Sequence, residues 1–187
     1  MTLVKRDELL DYATYADRRA TIRPAILEAK RVRRICIGAY ITLLIENHDT
    51  VLYQIQEMTR IEHIVRERDI LHELSTYNEL LGGPGEFGAT LLIGIDDETK
   101  RDDCLRRWLA LLSTLYAELD DGTRVAPTWD ERQVGDDRLS SVQYLKFNTQ
   151  GAVPVKFGCS FDDPDAYGTV TLSEEQRAAL TTDLQGA

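Results

Sequence analysis

Cysteine, histidine and aromatic side chains are scarce in this chain. Its 187 residues include three cysteines, three histidines and 7% aromatic residues. Cys36, Cys104 and Cys159 are odd in number, lie far apart and form no CxxC motif, a pattern typical of core thiols in a reducing compartment. The sequence therefore predicts a fold that depends on no disulfide framework.

Long hydrophobic runs are also missing. Charged residues from Lys5 to Glu8 occupy the place where a signal peptide would have its apolar stretch. No window approaches the run of about 18 apolar residues that a membrane-spanning helix needs. We expect a cytoplasmic protein that makes no membrane contact.

The chain lacks the common nucleotide-binding and nucleophile motifs. It has no P-loop, no Gly-x-Gly-x-x-Gly after a strand and no Gly-x-Ser-x-Gly, and the run 82–85 is not followed by the Lys-Ser or Lys-Thr of a phosphate cradle. Basic residues number 22 against 32 acidic ones, so the formal net charge is −10. Because such a charge repels phosphate backbones, we expect no nucleic-acid partner.

What remains is the composition of an ordinary folded domain. Hydrophobic residues make up 43% and charged residues 29%, and the length suits one hydrophobic core. No repeat, linker or low-complexity tract divides the chain. We predict that residues 1–187 form a single α+β domain, with a mostly antiparallel sheet and several packed helices.

Hydrophobic periodicity divides the chain into helices and strands. The clearest strand is Ile35–Glu46, where apolar residues alternate. A turn at Asn47–Asp49 joins it to a helix from Thr50 to about Val65. Further helices are predicted over 7–19, from Thr21 with Pro24 in its first turn, and over 69–81, 98–119 and the residues after 173. Further strands are predicted over 87–95, 142–147, 153–161 and 168–172.

The densest polar constellation follows that first strand. Tyr53, Gln56, Glu57 and Arg60 recur at helical spacing, so they share one face of the predicted helix. We predict a small-molecule site between the first strand and this helix. Its expected catalytic residues are Glu46, Glu57 and His48. Its expected substrate-binding residues are Tyr53, Gln56, Arg60, Glu62 and Arg34. The alternative is a solvated helix face with a weak ion pair between Glu57 and Arg60.

A basic cluster precedes the first strand. Lys30, Arg31, Arg33 and Arg34 could bind a phosphate, a sulfate or an acidic partner. Four cations at the end of a helix also complement the helix dipole, and that structural interpretation is preferred.

The histidines do not have the spacing of metal ligands. His48, His63 and His72 lie near Glu57 and Glu62, but matched Glu-x-x-His pairs on two helices are absent. The sequence predicts neither a metal nor another cofactor.

The chain resembles the bacterial family DUF3501, a domain of unknown function. The resemblance rests on residues 30–38 and 42–47 and above all on Gln54-Ile55-Gln56-Glu57-Met58, followed by Arg60 and Glu62. It extends through Glu73, Tyr77, Asn78, 89–93 and 144–147 and so covers nearly the whole chain. Because its most distinctive residues are polar, the resemblance favours a functional site at the polar stripe.

The resemblance implies little about chemistry, because the family has no established general activity and its members look like companions of redox proteins. Three hypotheses follow. The first is an enzyme or enzyme subunit acting on a small polar metabolite, with a second protein chain as an expected partner. The second is a noncatalytic accessory subunit of a redox or small-molecule biosynthetic complex. The third is a metal-binding redox auxiliary.

Overall fold

The computed structural model describes residues 2–185, which fold into helices and two antiparallel four-stranded sheets. The helices are α1 (Tyr12–Arg31), α2 (His48–Ile61), α3 (Glu67–Asn78), α4 (Glu98–Arg107) and α5 (Glu174–Gln185). The strands are β1 (Arg34–Ile37), β2 (Ile41–Ile45), β3 (Glu86–Ile93), β4 (Leu115–Glu118), β5 (Arg124–Val125), β6 (Val142–Asn148), β7 (Lys156–Cys159) and β8 (Gly168–Thr171). The predicted α+β class is confirmed, with its strands divided between two sheets.

The main hydrophobic core lies between the two sheets. The first sheet has the strand order β1-β2-β3-β6 and the second has β5-β4-β7-β8. Buried residues from both sheets, including Leu43, Leu91, Phe147 and Phe157, belong to one apolar cluster. Helices α4 and α5 add residues such as Leu105 to it.

Helices α2 and α3 and the N-terminal segment have a smaller core of their own. It contains Val4, Leu9, Val51, Ile55 and Ile70 and shares no residue with the main core. Helix α1 is tied to α2 through the buried Tyr15, whose hydroxyl donates a hydrogen bond to Glu57 at 2.6 Å. We call α1, α2 and α3 the helical layer.

The predicted strand Ile35–Glu46 is wrong as a single element, because it is a hairpin. Ile37 pairs with Ile41 across a turn in which Gly38 has φ +60°. Ile37 and Ile41 are four residues apart, an even number, and they lie on the same face of the hairpin. The apolar alternation in the sequence therefore continues across the turn, and the sequence pattern does not reveal it. Gly38 tolerates the left-handed conformation that the turn requires.

Two predicted helices at the N-terminus are also wrong as separate elements. Helix α1 is continuous from Tyr12 to Arg31 and carries Pro24 in its interior. The preceding residue, Asp11, caps the helix: its carboxylate accepts hydrogen bonds from the main-chain N–H groups of Ala13 and Thr14. Proline removes one helical hydrogen bond, but this helix continues past it.

The predicted helix over 98–119 is correct only in its first half. Helix α4 ends at Arg107, a short 3₁₀ helix spans Leu111–Thr114, and Leu115–Glu118 forms strand β4. Strand β4 pairs with both β5 and β7, so the tertiary pairing overrides the helical spacing of its leucines.

Candidate functional site

One face of the first sheet points away from the main core and toward the helical layer. Arg34, Leu44, Thr90 and Tyr144 form one row across this face, from β1 through β2 and β3 to β6. Leu44 and Thr90 are buried, whereas 44% of Tyr144 is exposed. The face is therefore covered at its centre and open at its β6 edge.

Glu46 lies at the centre of this face, directly after β2. Its residue is only 5% exposed. Its carboxylate oxygens accept hydrogen bonds from the hydroxyl groups of Thr50 (2.5 Å) and Thr90 (2.6 Å). Its main-chain N–H donates to the carbonyl of Gly88 at 2.9 Å. The carboxylate is thus fixed in position by two neutral donors rather than by a cation.

Lys30, near the end of α1, is close enough to Glu46 to interact with it electrostatically. Burial lowers the pKa of its ammonium group, Glu46 acts in the opposite direction, and Arg34 lowers the pKa further. Within residues 2–185 this ammonium group has no hydrogen bond or ion pair, and its described contact is with the ring of Tyr53, 5.1 Å from the ring centroid. Lys30 is therefore a half-buried cation without a direct anionic partner.

Tyr53, Arg34 and Tyr144 complete the surroundings of Lys30 and Glu46. Burial raises the pKa of the Tyr144 hydroxyl, and the charge of Glu46 adds to that effect. Arg34 is exposed, and no hydrogen bond or ion pair of its side chain is found within residues 2–185. We call the five residues Lys30, Arg34, Glu46, Tyr53 and Tyr144 the Lys30–Glu46 site.

Glu57 faces α1 and is saturated with donors. One carboxylate oxygen accepts from the Tyr15 hydroxyl (2.6 Å) and from Arg19 (2.7 Å), and the other accepts from Arg19 (3.0 Å) and Arg60 (3.3 Å). Burial works to raise the pKa of Glu57, but the hydrogen bonds from Arg19, Tyr15 and Arg60 outweigh it and lower the pKa to about 2. The predicted neighbour Arg60 thus contacts Glu57 in this cluster. A carboxylate held in this way is a poor proton acceptor near neutral pH.

The side chain of Gln56 contacts the main chain of the N-terminal segment and does not face solvent. Its side-chain amide accepts a hydrogen bond from the N–H of Leu10 (2.7 Å) and donates one to the carbonyl of the same residue (3.1 Å). Gln56 is 4% exposed. It therefore fastens the N-terminal segment to α2.

His48 and Glu62 lie at opposite ends of α2. His48 is the first residue of the helix, with its Nε2 atom 3.0 Å from Glu8 and its Nδ1 atom 3.2 Å from Asp49. Glu62 follows the last helical turn and is exposed. Within residues 2–185, neither His48 nor Glu62 forms a hydrogen bond or ion pair with a residue of the Lys30–Glu46 site. The structure thus groups Glu46, Tyr53 and Arg34 around Lys30, and it places Glu57, Arg60 and Gln56 in contacts with α1 and the N-terminal segment.

The described residues contain no cluster suited to a metal ion. No three or more His, Cys, Asp or Glu side chains converge as ligands within residues 2–185. None of the helices in that range is long and apolar enough to cross a bilayer.

The sequence interpretation undervalued Lys30 and missed Tyr144. Lys30 belonged to a basic cluster assigned to the helix dipole, but its neighbours differ: Arg33 pairs with Asp183 at 2.8 Å and Arg31 pairs with Glu28 at 2.8 Å. Tyr144 alternates with buried Leu145 in β6, which was a signal that it faces the opposite side of the sheet.

The fold and this site describe a two-sheet α+β protein with a polar site beneath a helical layer. The chain belongs to DUF3501, whose family model, described as a protein of unknown function, matches residues 3–184. It is similar to a novel protein of unknown function from Burkholderia pseudomallei K96243, known from a crystal structure at 1.90 Å. The two are 29% identical with a TM-score of 0.87, over 98% of this chain and 100% of that one. No curated protein matches the chain.

Proposed function

We propose that this protein is an enzyme, or an enzyme subunit, that acts on a small polar metabolite bound at the Lys30–Glu46 site. One observation carries the proposal: the half-buried ammonium group of Lys30 has no anionic partner in direct contact within residues 2–185. A cation withdrawn from water without an ion pair costs free energy, and a bound anion offsets that cost. Shifted pKa values of this kind concentrate at functional sites.

Each residue of the site has a distinct proposed role. Lys30 binds an anionic group of the substrate, such as a carboxylate or phosphate, and exposed Arg34 attracts it to the entrance. Glu46 is the proposed acid/base, because its two hydrogen bonds with Thr50 and Thr90 leave one acceptor position on each oxygen. The rings of Tyr53 and Tyr144 form the walls.

The role of Glu57 is to position its neighbours. Its four hydrogen bonds and its pKa of about 2 make it an anion at neutral pH. It holds Tyr15 and Arg19 of α1 against α2, and so it fixes the helix that carries Lys30. We propose that the acid/base function belongs to Glu46 instead, and that a catalytic part for His48 stays a prediction.

The test combines substrate discovery with two variants. The protein is incubated with a metabolite extract, and mass spectrometry identifies any compound that it consumes. Glu46→Gln preserves the shape of the side chain but cannot take up a proton, so we expect turnover to fall at least about a hundredfold. Lys30→Gln removes the anion contact, so we expect affinity to fall at least about tenfold.

The matched control is Lys5→Gln, because Lys5 is an exposed lysine outside the site. We expect this variant to consume the compound at the wild-type rate. Turnover by Glu46→Gln at the wild-type rate would contradict the proposed acid/base. Unchanged affinity of Lys30→Gln would remove the anion site.

A second protein chain remains part of the proposal. The helical layer exposes large apolar side chains at its α2–α3 corner, with Ile61 at 55%, Val65 at 73% and Leu71 at 46%. Such side chains would be available to a partner of the accessory-subunit kind. Light scattering of the purified protein measures whether copies of this chain associate. Co-purification, compared between the wild type and Val65→Glu, measures whether another protein binds in a fixed ratio.

A further inference from the structure

A cavity opens at the β6 edge of the first sheet. It has a volume of about 780 Å³ and lies between the end of α3, strand β6 and the segment 128–133. Tyr77, Trp129 and Tyr144 are among its lining residues. The volume falls within the range of small-molecule sites, and three aromatic side chains offer flat apolar walls.

The walls of this cavity are held in place by main-chain contacts. Thr128 and Lys146 exchange two main-chain hydrogen bonds, both of 2.8 Å. The side-chain amide of Gln133 donates to the carbonyl of Tyr144 at 2.8 Å and accepts from its N–H at 2.7 Å. Because the segment is pinned at both ends, the cavity is formed in advance of any ligand.

The cavity lining contains two cations and two anions, and one of the cations, Lys146, forms no ion pair within residues 2–185. Arg132 pairs with Asp130, and Glu79 acts on Arg132 electrostatically. Lys146 is half-buried, and no hydrogen bond or ion pair of its side chain is found in residues 2–185. Lys146 and Tyr144 lie two residues apart on the same face of β6, so their polar groups can reach one ligand.

Trp129 adds a donor that lacks a partner. Its indole N–H is buried, and it has no hydrogen-bond acceptor among the described residues. A buried donor without an acceptor is energetically unfavourable. A ligand acceptor that reaches this N–H would remove the penalty.

We propose that this cavity binds a planar aromatic carboxylate. The ring stacks among Tyr77, Trp129 and Tyr144, and the carboxylate binds the ammonium group of Lys146. The cavity is a second site, which shares Tyr144 with the Lys30–Glu46 site but uses a different cation. This proposal is therefore tested independently of the proposed function.

The two tryptophans of the chain make the proposal measurable. Trp108 is 0% exposed and donates to Asp163 at 2.9 Å in the main core, whereas Trp129 lines the cavity. Protein labelled with 5-fluorotryptophan gives two ¹⁹F resonances, which Trp129→Phe assigns. Titration with 2-naphthoate should shift the Trp129 resonance, leave the Trp108 resonance in place, and give a Kd below about 1 mM.

Three comparisons test the chemistry. Lys146→Gln should weaken naphthoate binding at least about tenfold, because it removes the charged partner, whereas the exposed-lysine variant Lys5→Gln should bind as the wild type does. Cyclohexanecarboxylate tests planarity and benzylamine tests the sign of the charge, and both should bind at least about tenfold more weakly than naphthoate.

The proposal is overturned if naphthoate shifts neither resonance or only that of Trp108. It is also overturned if Lys146→Gln binds as the wild type does, or if either comparison compound binds as tightly.

Discussion

Three side-chain amides in this protein form hydrogen bonds normally made by a neighbouring strand. Gln56, Asn78 and Gln133 each donate to the carbonyl and accept from the N–H of a single residue, at distances between 2.7 and 3.1 Å. Their partners are Leu10, Val4 and Tyr144, respectively, and lie 46, 74 and 11 residues away. Because an amide carries both a donor and an acceptor, one side chain satisfies both main-chain groups.

Glu57 shows how residues of one predicted stripe diverge in the fold. Helical spacing correctly placed Tyr53, Gln56, Glu57 and Arg60 on neighbouring positions of α2. The stripe is wide enough, however, to contact two different elements: Tyr53 and Glu57 both meet α1, at Lys30 and Arg19, whereas Gln56 meets the N-terminal segment. The sequence indicated where polar contacts concentrate, but the assignment of each contact depends on which element packs opposite.

The residue-scale prediction concerns the pH dependence of the stabilisation by Glu57. The pKa of this carboxyl falls from 4.5 in the unfolded chain to about 2 in the fold. A lowered pKa stabilises the fold above pH 4.5, and that stabilisation is lost as the pH falls toward 2. Allowing for solvent at partly exposed Arg19, we expect Glu57→Gln to lower the free energy of unfolding at pH 7 by about 2 kcal/mol.

Urea denaturation at several pH values measures this effect. The difference between the wild type and Glu57→Gln should shrink as the pH is lowered from 4.5 toward 2, because the wild-type carboxyl then becomes protonated as well. Glu62→Gln is the control, since exposed Glu62 belongs to no ion pair within residues 2–185. A difference that stays constant across this pH range would contradict the assignment.

At the scale of elements, the sequence indicated the order of most helices and strands but not every boundary. It located α2, α3, β3, β6 and the final helix, because their hydrophobic periods are long and are bounded by capping or turn residues. It missed the turn at Gly38, because the apolar alternation continues through that turn. It also missed strand β4, because strand pairing overrides the helical spacing of the leucines after α4. At Gly38 the turn preserves the local pattern of apolar residues. In β4 the deciding interaction is the pairing with β7, which is distant along the chain.

The candidate site was predictable to a similar extent. Glu46 was named from its position at the strand end, Tyr53 from the polar stripe of the following helix, and Arg34 from the basic cluster before the strand. Tyr144 was not, because it reaches the site through sheet register with Thr90, which no local pattern reports. Lys30 was visible as a cation, but its lack of a partner is a property of the fold.

The element-scale prediction concerns the contact between the end of α3 and β3. A Cβ atom on Gly88 would lie 1.7 Å from the carbonyl oxygen of Leu80, whereas one on Gly94 of the same chain segment would have its nearest neighbour at 4.0 Å. We expect Gly88→Ala to destabilise the fold by about 4 kcal/mol or more, or to prevent soluble expression, because two main-chain segments must separate. Gly94→Ala should cost less than about 1 kcal/mol.

Thermal unfolding of the two alanine variants provides the measurement. Equal melting temperatures for Gly88→Ala and Gly94→Ala would show that α3 and β3 do not approach as closely as described. The contact between Leu80 and Gly88 matters for function, because the carbonyl of Gly88 also accepts a hydrogen bond from the main-chain N–H of Glu46. A shift at Gly88 would therefore displace the proposed acid/base.

At the scale of the whole molecule, the two apolar clusters predict unequal stability. The main core joins both sheets with α4 and α5, while the smaller core holds α2 and α3 with the N-terminal segment. Burial of apolar area is the dominant stabilising contribution, so the smaller core should open at a lower free energy.

Native-state hydrogen exchange measures this difference. We expect the main-chain amides of α2 and α3 to exchange through an opening that costs less free energy than the opening that exposes β3. Equal protection in α2 and β3 would show instead that the helical layer and the sheets unfold together. Ligand bound at the Lys30–Glu46 site should raise the protection of α2, because Lys30 and Glu46 come from different layers.

The attachment of the N-terminal segment has a further consequence. Gln56 and Asn78 bind the main chain of Leu10 and Val4, and the apolar side chains of Val4 and Leu9 pack in the smaller core. The helical layer therefore behaves as a peptide receptor whose ligand is covalently tethered. The groove selects for the spacing and apolar side chains of the segment and also for its charges, because Arg6 pairs with Glu67 at 2.8 Å and Glu8 lies 3.0 Å from His48. A free peptide spanning residues 2–11 would compete for the same groove from solution.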